Sequence, residues 1–142
     1  MSRVIFKYFF GSPQERETAC ELVDLLLRAA DGNADAALAL NVLAYSARSY
    51  IGVFAANLGG LDAISFSGGI GENSPQTREK ILAPLEFMGV VIDRKKNEAC
   101  VHKKEGIISS PESKVKVAVI SANEEIVIAR EAAKLLSKTS KI

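Results

Sequence analysis

The chain has 142 residues, the length of one ordinary domain, and its 48% apolar and 25% charged residues are the balance of a folded globular protein, which excludes a disordered one. Eighteen basic residues against seventeen acidic ones leave a net charge of +1, so no summed field draws the chain to nucleic acid or to an acidic membrane surface. No unbroken run of about 18 apolar residues occurs, and the Met1-Ser2-Arg3 start leads into a short apolar patch that contains Lys7 and lacks a small-residue cleavage site, so neither a membrane span nor a signal peptide is expected and the location expected is cytoplasmic.

Val4 to Phe10 is ambiguous between a buried strand and an apolar stretch without regular structure. From Glu15 to Ala30, Ala19, Leu22, Leu25, Leu26 and Ala29 recur three or four residues apart and predict a helix, which Asp31-Gly32-Asn33 stops. The next helix is the clearest: Leu40, Leu43, Ala47, Ile51, Phe54 and Leu58 follow one face until Gly59-Gly60. Its dense alanine content suits a central helix packed closely on its neighbours.

Leu61 to Ser67 reads as a buried strand that feeds a glycine turn, Gly68-Gly69-Ile70-Gly71, and Ser74-Pro75 then opens a helix through Leu82. Gly89 to Ile92 and Ile107-Ile108 read as short strands around a charged turn, Asp93 to Glu98. Val115 to Ile120 is a further strand, followed through Ser121 to Glu125 by a C-terminal helix striped by Ile126, Ala129, Ala133 and Leu136. Alternating strands and helices predict a single α/β domain over 1–142, with a mostly parallel or mixed sheet covered by helices.

Two places share one design, a buried strand that ends in a polar turn and begins a helix. If both strands are parallel in one sheet, Ser67 to Asn73 and Ser121 to Glu125 open at the same sheet edge, where ligands of open α/β folds bind. Three glycines in four positions let a ligand approach the first turn's backbone, whose N–H groups suit a phosphate or nucleotide. The turn lacks the Gly-Lys-Ser/Thr ending of a Walker A loop. Its Gly69-x-Gly71-x-x-Ser74 spacing, with Asp93 about where a ribose-binding acid would stand, also admits a dinucleotide, and a purely structural turn is the third reading. In the second turn, Ser121 and Glu124 have the spacing of a capping box, while a carboxylate there could also reach Mg²⁺.

Elsewhere the chemistry is sparse. Cys20 and Cys100 stand far apart without metal-ligand spacing and read as free thiols, and His102, in a run of charged residues, reads as solvated. Arg48 and Arg78 lie on expected helices and read as solvated faces. No Ser/His/Asp set and no glycosidase-type carboxylate pair is present.

The run Leu61-Asp62-Ala63-Ile64-Ser65-Phe66-Ser67-Gly68-Gly69-Ile70-Gly71-Glu72-Asn73-Ser74, with Arg78 and Glu79 beyond it, resembles the signature of acetate kinases. Leu85 to Gly89 with Ile92-Asp93 and Asn97, then Val119 to Glu125 with Ile128-Ala129, are similar to that family's later segments in the same order, and Asp31-Gly32-Asn33 and Tyr50-Ile51-Gly52 to earlier ones. The resemblance spans about Asp31 to Leu136. It implies part of a ribonuclease H-like, actin/hexokinase-type ATPase domain from an enzyme that moves the γ-phosphoryl of ATP to a short carboxylate with Mg²⁺. On the same footing it implies ATP or ADP at Gly69, Ile70, Gly71, Glu72 and Asn73, and Mg²⁺ at Glu124.

The family is roughly three times longer and built of two domains, so the resemblance places this chain at the end of the second one, as a gene fragment or half of a split enzyme. No catalytic residue and no acyl-pocket residue is then expected in it, and acetate, propionate and butyrate stay equally open as acceptors. The expected partners are a small-molecule nucleotide and either the missing N-terminal part of the enzyme or a homodimer mate. Glu21 and Val23 stand where the family carries an Asp-x-Arg nucleotide contact, and Ser121-Ala122 where it usually has Pro-Thr, so residues 1–30 read as diverged. A non-catalytic nucleotide-binding or dimerisation remnant is the alternative.

Overall fold

The computed structural model describes residues 4–6 and 23–121. Its secondary structure runs β1 (Val4–Phe6), α1 (residues 23–30), α2 (Ala34–Leu58), β2 (Ala63–Phe66), α3 (Gly68–Asn73), α4 (Pro75–Leu82), a 3₁₀ helix (Ala83–Met88), α5 (Arg94–Ala99), β3 (Gly106–Ile107) and β4 (Lys116–Val119). The four strands form one mixed sheet in the order β1-β2-β4-β3. β1 and β4 flank β2 in parallel, and β3 joins β4 antiparallel. The expected α/β architecture with a mostly parallel sheet is therefore present.

The register explains the core. Ile64 pairs with Val117 and Phe66 with Val119, which puts these four side chains on one face of the sheet. That face meets the buried stripe of α2 (Ala44, Ala47 and Ile51) together with Ile81 and Leu82 of α4 and Leu85 beyond it. Alanine at two of the three α2 positions lets the helix backbone sit close to its neighbours.

Helix ends follow their sequence signals. The Asn33 side chain accepts from the Ala36 N–H at 2.9 Å to start α2, and Gly59, at φ +69°, ends it in the left-handed conformation. Ser74 caps α4 by accepting from the Thr77 N–H, with Pro75 as the first helical residue.

Three expectations need correction. Asp93 to Glu98 is not a charged turn: Asp93 accepts from the Lys96 N–H and caps a six-residue helix, α5. The strand expected over Gly89 to Ile92 is reduced to an isolated bridge between Ile92 and Ser109. α2 is not enclosed as a central helix, because Leu38, Val42, Tyr45, Tyr50 and Val53 on its outer side are each more than half exposed. With 25 residues, α2 is also long and apolar enough to cross a membrane by length and composition, which a search for an unbroken apolar run overlooks; here its inner stripe is part of the α/β core.

Candidate functional site: the shared edge of β2 and β4

Because β2 and β4 are adjacent and parallel, the chain leaves both at the same edge of the sheet. The Ile120 N–H donates to the Phe66 carbonyl at 2.9 Å, so the two exits are hydrogen-bonded side by side. From there the first exit becomes Ser67 and α3, and the second becomes Ser121. Asn123, Glu124 and Glu125 lie outside the described residues, so the expected Mg²⁺ carboxylate Glu124 has no structural description.

The glycine segment is a short helix rather than an open turn. Gly68 begins it at φ +76°, a conformation that glycine adopts without strain, and Ser67 precedes it fully extended at φ −148°. Gly69 and Asn73 are exposed and Gly68, Ile70 and Gly71 half-buried, so the outer side of the segment is main chain with little side-chain cover. Gly71 sits against β2: a Cβ there would meet the Phe66 carbonyl carbon and Cβ at 3.4 Å, which leaves room for alanine at most.

Glu72 behaves differently from its neighbours. It is only 7% exposed. One oxygen, Oε1, accepts from the Gly68 N–H at 2.8 Å, and Oε2 accepts from the Ser121 hydroxyl at 3.0 Å. The Ser121 N–H in turn donates to Glu105 Oε1 at 2.8 Å. The buried carboxylate thus links the start of the glycine segment to the exit of β4. Asn73 makes a second link, its amide donating to the Gly69 carbonyl while its Oδ1 accepts from the His102 N–H at 2.9 Å. His102 and Lys103 both carry positive φ, at 54° and 65°, and the His102 side chain is exposed as expected.

Arg78 overturns its sequence reading. Instead of facing solvent, it is 0% exposed. Its Nη1 donates to the Gly71 carbonyl at 2.7 Å, Nε to Asn97 Oδ1 at 2.7 Å, and Nη2 to the Asn97 and Cys100 carbonyls at 2.6 and 2.8 Å. Burial pulls its pKa down to about 10, which still leaves it cationic at neutral pH. A signal was available in the sequence: Arg78 lies three and four residues before Ile81 and Leu82, on the apolar stripe of α4, and only a charged residue with acceptors waiting can occupy such a place. Glu105 carried no signal of its own; Ser121 stood out only as a capping residue of the second turn and Asn97 only through the family resemblance, and neither reading pointed to the partner it has here.

What the arrangement offers is a fixed main-chain surface at a sheet edge with a buried cation behind it, suited to an anionic ligand. Among the described residues no group of three His, Cys, Asp or Glu side chains could hold a metal ion. Val23, at one position where a nucleotide contact is expected to be lost, is 57% exposed on α1, and Glu21 lies outside the described residues.

Residues 17–130 match the model of the acetokinase family. The chain is 50% identical over 115 residues to an acetate kinase of Caldicellulosiruptor saccharolyticus, an alignment that covers 81% of this chain and 29% of that enzyme. Among solved structures it resembles the crystal structure of Porphyromonas gingivalis acetate kinase, with a TM-score of 0.73 and 43% identity over 81% of this chain and 29% of that one. It also resembles a propionate kinase from Francisella tularensis, with a TM-score of 0.69 and 33% identity over 78% of this chain and 27% of that one. The chain thus spans less than a third of the length of these relatives.

Proposed function

The chain belongs to the acetokinase family, with the actin/hexokinase-like ATPase fold of its structural neighbours, and from that premise we propose that it forms the nucleotide-cradling edge of an acetate kinase, near the end of the second domain. One observation carries this reading: β2 and β4 run parallel and adjacent, and the Glu72 to Ser121 hydrogen bond joins the segments that leave them. A nucleotide needs such a common edge, with main chain on one side for its phosphates and a carboxylate on the other for its cation.

In this proposal Gly69, Ile70, Gly71 and Asn73 meet the nucleotide, ATP or ADP, through exposed backbone and the Asn73 amide. Glu72 supports them from beneath, its carboxylate shared between Gly68 and Ser121. Glu124, three residues beyond Ser121, is the proposed Mg²⁺ carboxylate. The metal, when bound, neutralises charge that develops on the transferring phosphoryl group. What this chain's own residues do is position: catalysis of phosphoryl transfer rests on holding the γ-phosphate in line and stabilising its charge, and the glycine segment contributes the hold.

The acceptor carboxylate and the groups that activate it belong to the remainder of a longer enzyme, and the proposed partner, in the cytoplasm, is either that remainder or a homodimer mate. Resemblance to a propionate kinase as well as to acetate kinases keeps the acceptor open among acetate, propionate and butyrate. Calorimetric titration of the 142-residue chain with ATP·Mg²⁺ tests the binding half, and Gly71→Val, whose branched carbons displace Phe66, is the control that should lose it. NADH binding in preference to ATP would overturn the reading. A hydroxamate assay is expected to find no acetyl phosphate made by this chain alone, and turnover without a partner would overturn its assignment as an incomplete site.

A further inference from the structure

A buried guanidinium is an expensive way to fill space. Replacing buried ionic groups by apolar side chains of similar volume is often neutral or stabilising, so stability alone does not call for a cation under α3. No carboxylate among the described residues pairs with Arg78; its four acceptors are three main-chain carbonyls and one amide oxygen. These come from three separate places: Gly71 within the glycine segment, Asn97 in α5, and Cys100 just after it. Asn97 is itself fixed, because its amide donates to the Pro75 carbonyl at the start of α4 at 2.9 Å. The His102 to Asn73 bond ties the same stretch of chain to the end of α3.

We infer that Arg78 is the positioning residue of this edge: its guanidinium fork fastens the Gly71 carbonyl to α5 and so holds Gly68 to Asn73 in the one conformation that fits a polyphosphate. That purpose rests on the proposed nucleotide function, whereas the clamp rests on the geometry by itself. The fork is required as well as the charge. A planar guanidinium can serve acceptors in three directions at once, and a lysine ammonium, at the end of a flexible stem, cannot reach the Gly71 and Asn97 carbonyls together. The charge then adds a favourable field behind a segment that faces an anion, without itself touching the ligand.

The test uses the 142-residue chain as wild type, Arg78→Lys, Asn97→Ala and, as a control of general stability, Ile81→Val. Amide hydrogen exchange is read for 68–73 and separately for β2 and β4, and ATP·Mg²⁺ affinity is read by calorimetry. In Arg78→Lys, protection over 68–73 should fall by about tenfold or more beyond any change in the strands, and ATP affinity should fall by about tenfold. Ile81→Val should lower protection everywhere and leave affinity near wild type. Should Arg78→Lys fail to fold, Asn97→Ala, which removes the acceptor of Nε and the amide bond to the Pro75 carbonyl but leaves the other three acceptors of Arg78 in place, should still loosen 68–73 selectively. Exchange that changes uniformly in the Arg78 and Asn97 variants, or a lysine that restores both readouts, overturns the clamp. A wild-type chain that takes no ATP overturns the nucleotide purpose along with the proposed function, while the exchange pattern still decides whether Arg78 holds the segment.

Discussion

A carboxylate with both oxygens committed inside the chain is worth most where it replaces water on two orphaned donors, and Glu72 does this for the Gly68 N–H and the Ser121 hydroxyl. Glu72→Ala leaves the half-buried Gly68 donor unmet and should cost about 1–3 kcal/mol in urea unfolding, whereas Glu72→Gln keeps an acceptor for Gly68 and should cost less. An equal loss for the two would mean that the hydrogen bonds are not what matters. Asp93 gives a pH signature. Acceptance of the Lys96 N–H holds its pKa below the ordinary carboxylate value, so the folded state favours the ionised form. Its stabilising share is therefore complete above the ordinary carboxylate pKa and is lost as pH falls through the lowered value. Urea midpoints of wild type and Asp93→Asn, separated at pH 7, should converge as the pH falls below the ordinary carboxylate range. Glu72 and Arg78 show what a sequence withholds: Glu72 lies inside a legible motif, yet its partner Ser121 is 49 residues away. Arg78 was legible only as a charge on a helix, because Asn97 and Cys100, which make its burial tolerable, come from another element.

At the scale of elements, the caps were the readable part. Asn33, Gly59, Ser74 and Pro75 each announce a boundary by backbone chemistry that is local, and the helices begin and end there. Gly68 to Asn73 reads as a turn because three glycines argue against a helix in isolation, and a tertiary tie from Arg78 to the Gly71 carbonyl overrides that propensity. Asp93 to Glu98 reads as a turn for another reason: its Arg, Lys and Glu residues favour a helix and Asp93 caps it, but a six-residue helix is too short to show an apolar period. The glycines that close elements allow a graded experiment. Gly59 and Gly89 both have positive φ, at 69° and 83°, but a Cβ at Gly59 meets nothing within 4 Å whereas one at Gly89 would meet the Lys114 Cβ at 2.9 Å. Gly59→Ala should therefore cost about 1–2 kcal/mol from backbone strain alone. Gly89→Ala adds displacement of Lys114, whose N–H donates to the Gly89 carbonyl, and should cost more in the same denaturation series. The reverse order would refute the geometric explanation.

For the molecule as a whole, the common exit of β2 and β4 was legible because a parallel sheet brings both strand ends to one side, while the second turn beyond Ser121 lies outside the described residues. The packing of α2 was legible only in part: of the face that periodicity picks out, Leu40, Ala47 and Ile51 are buried, whereas Phe54 and Leu58 toward its end are exposed, and apolar residues also run along its other sides. The structure sorts them: Leu40, Ala44, Ala47 and Ile51 are buried, while Val42 and Tyr45 remain 56% and 67% exposed. An apolar surface that the chain leaves in water contributes little to its own folding, since the hydrophobic term counts only area removed from solvent. Val42→Lys combined with Tyr45→Glu should thus keep the unfolding free energy within about 0.5 kcal/mol of wild type, as surface substitutions do. Ala47→Leu, which forces a larger side chain into the packed inner stripe, should lower it by about 1–3 kcal/mol. Urea denaturation of the two variants separates the outer face from the inner one, and a large loss in the Val42 and Tyr45 variant would show that the outer face is part of the fold after all.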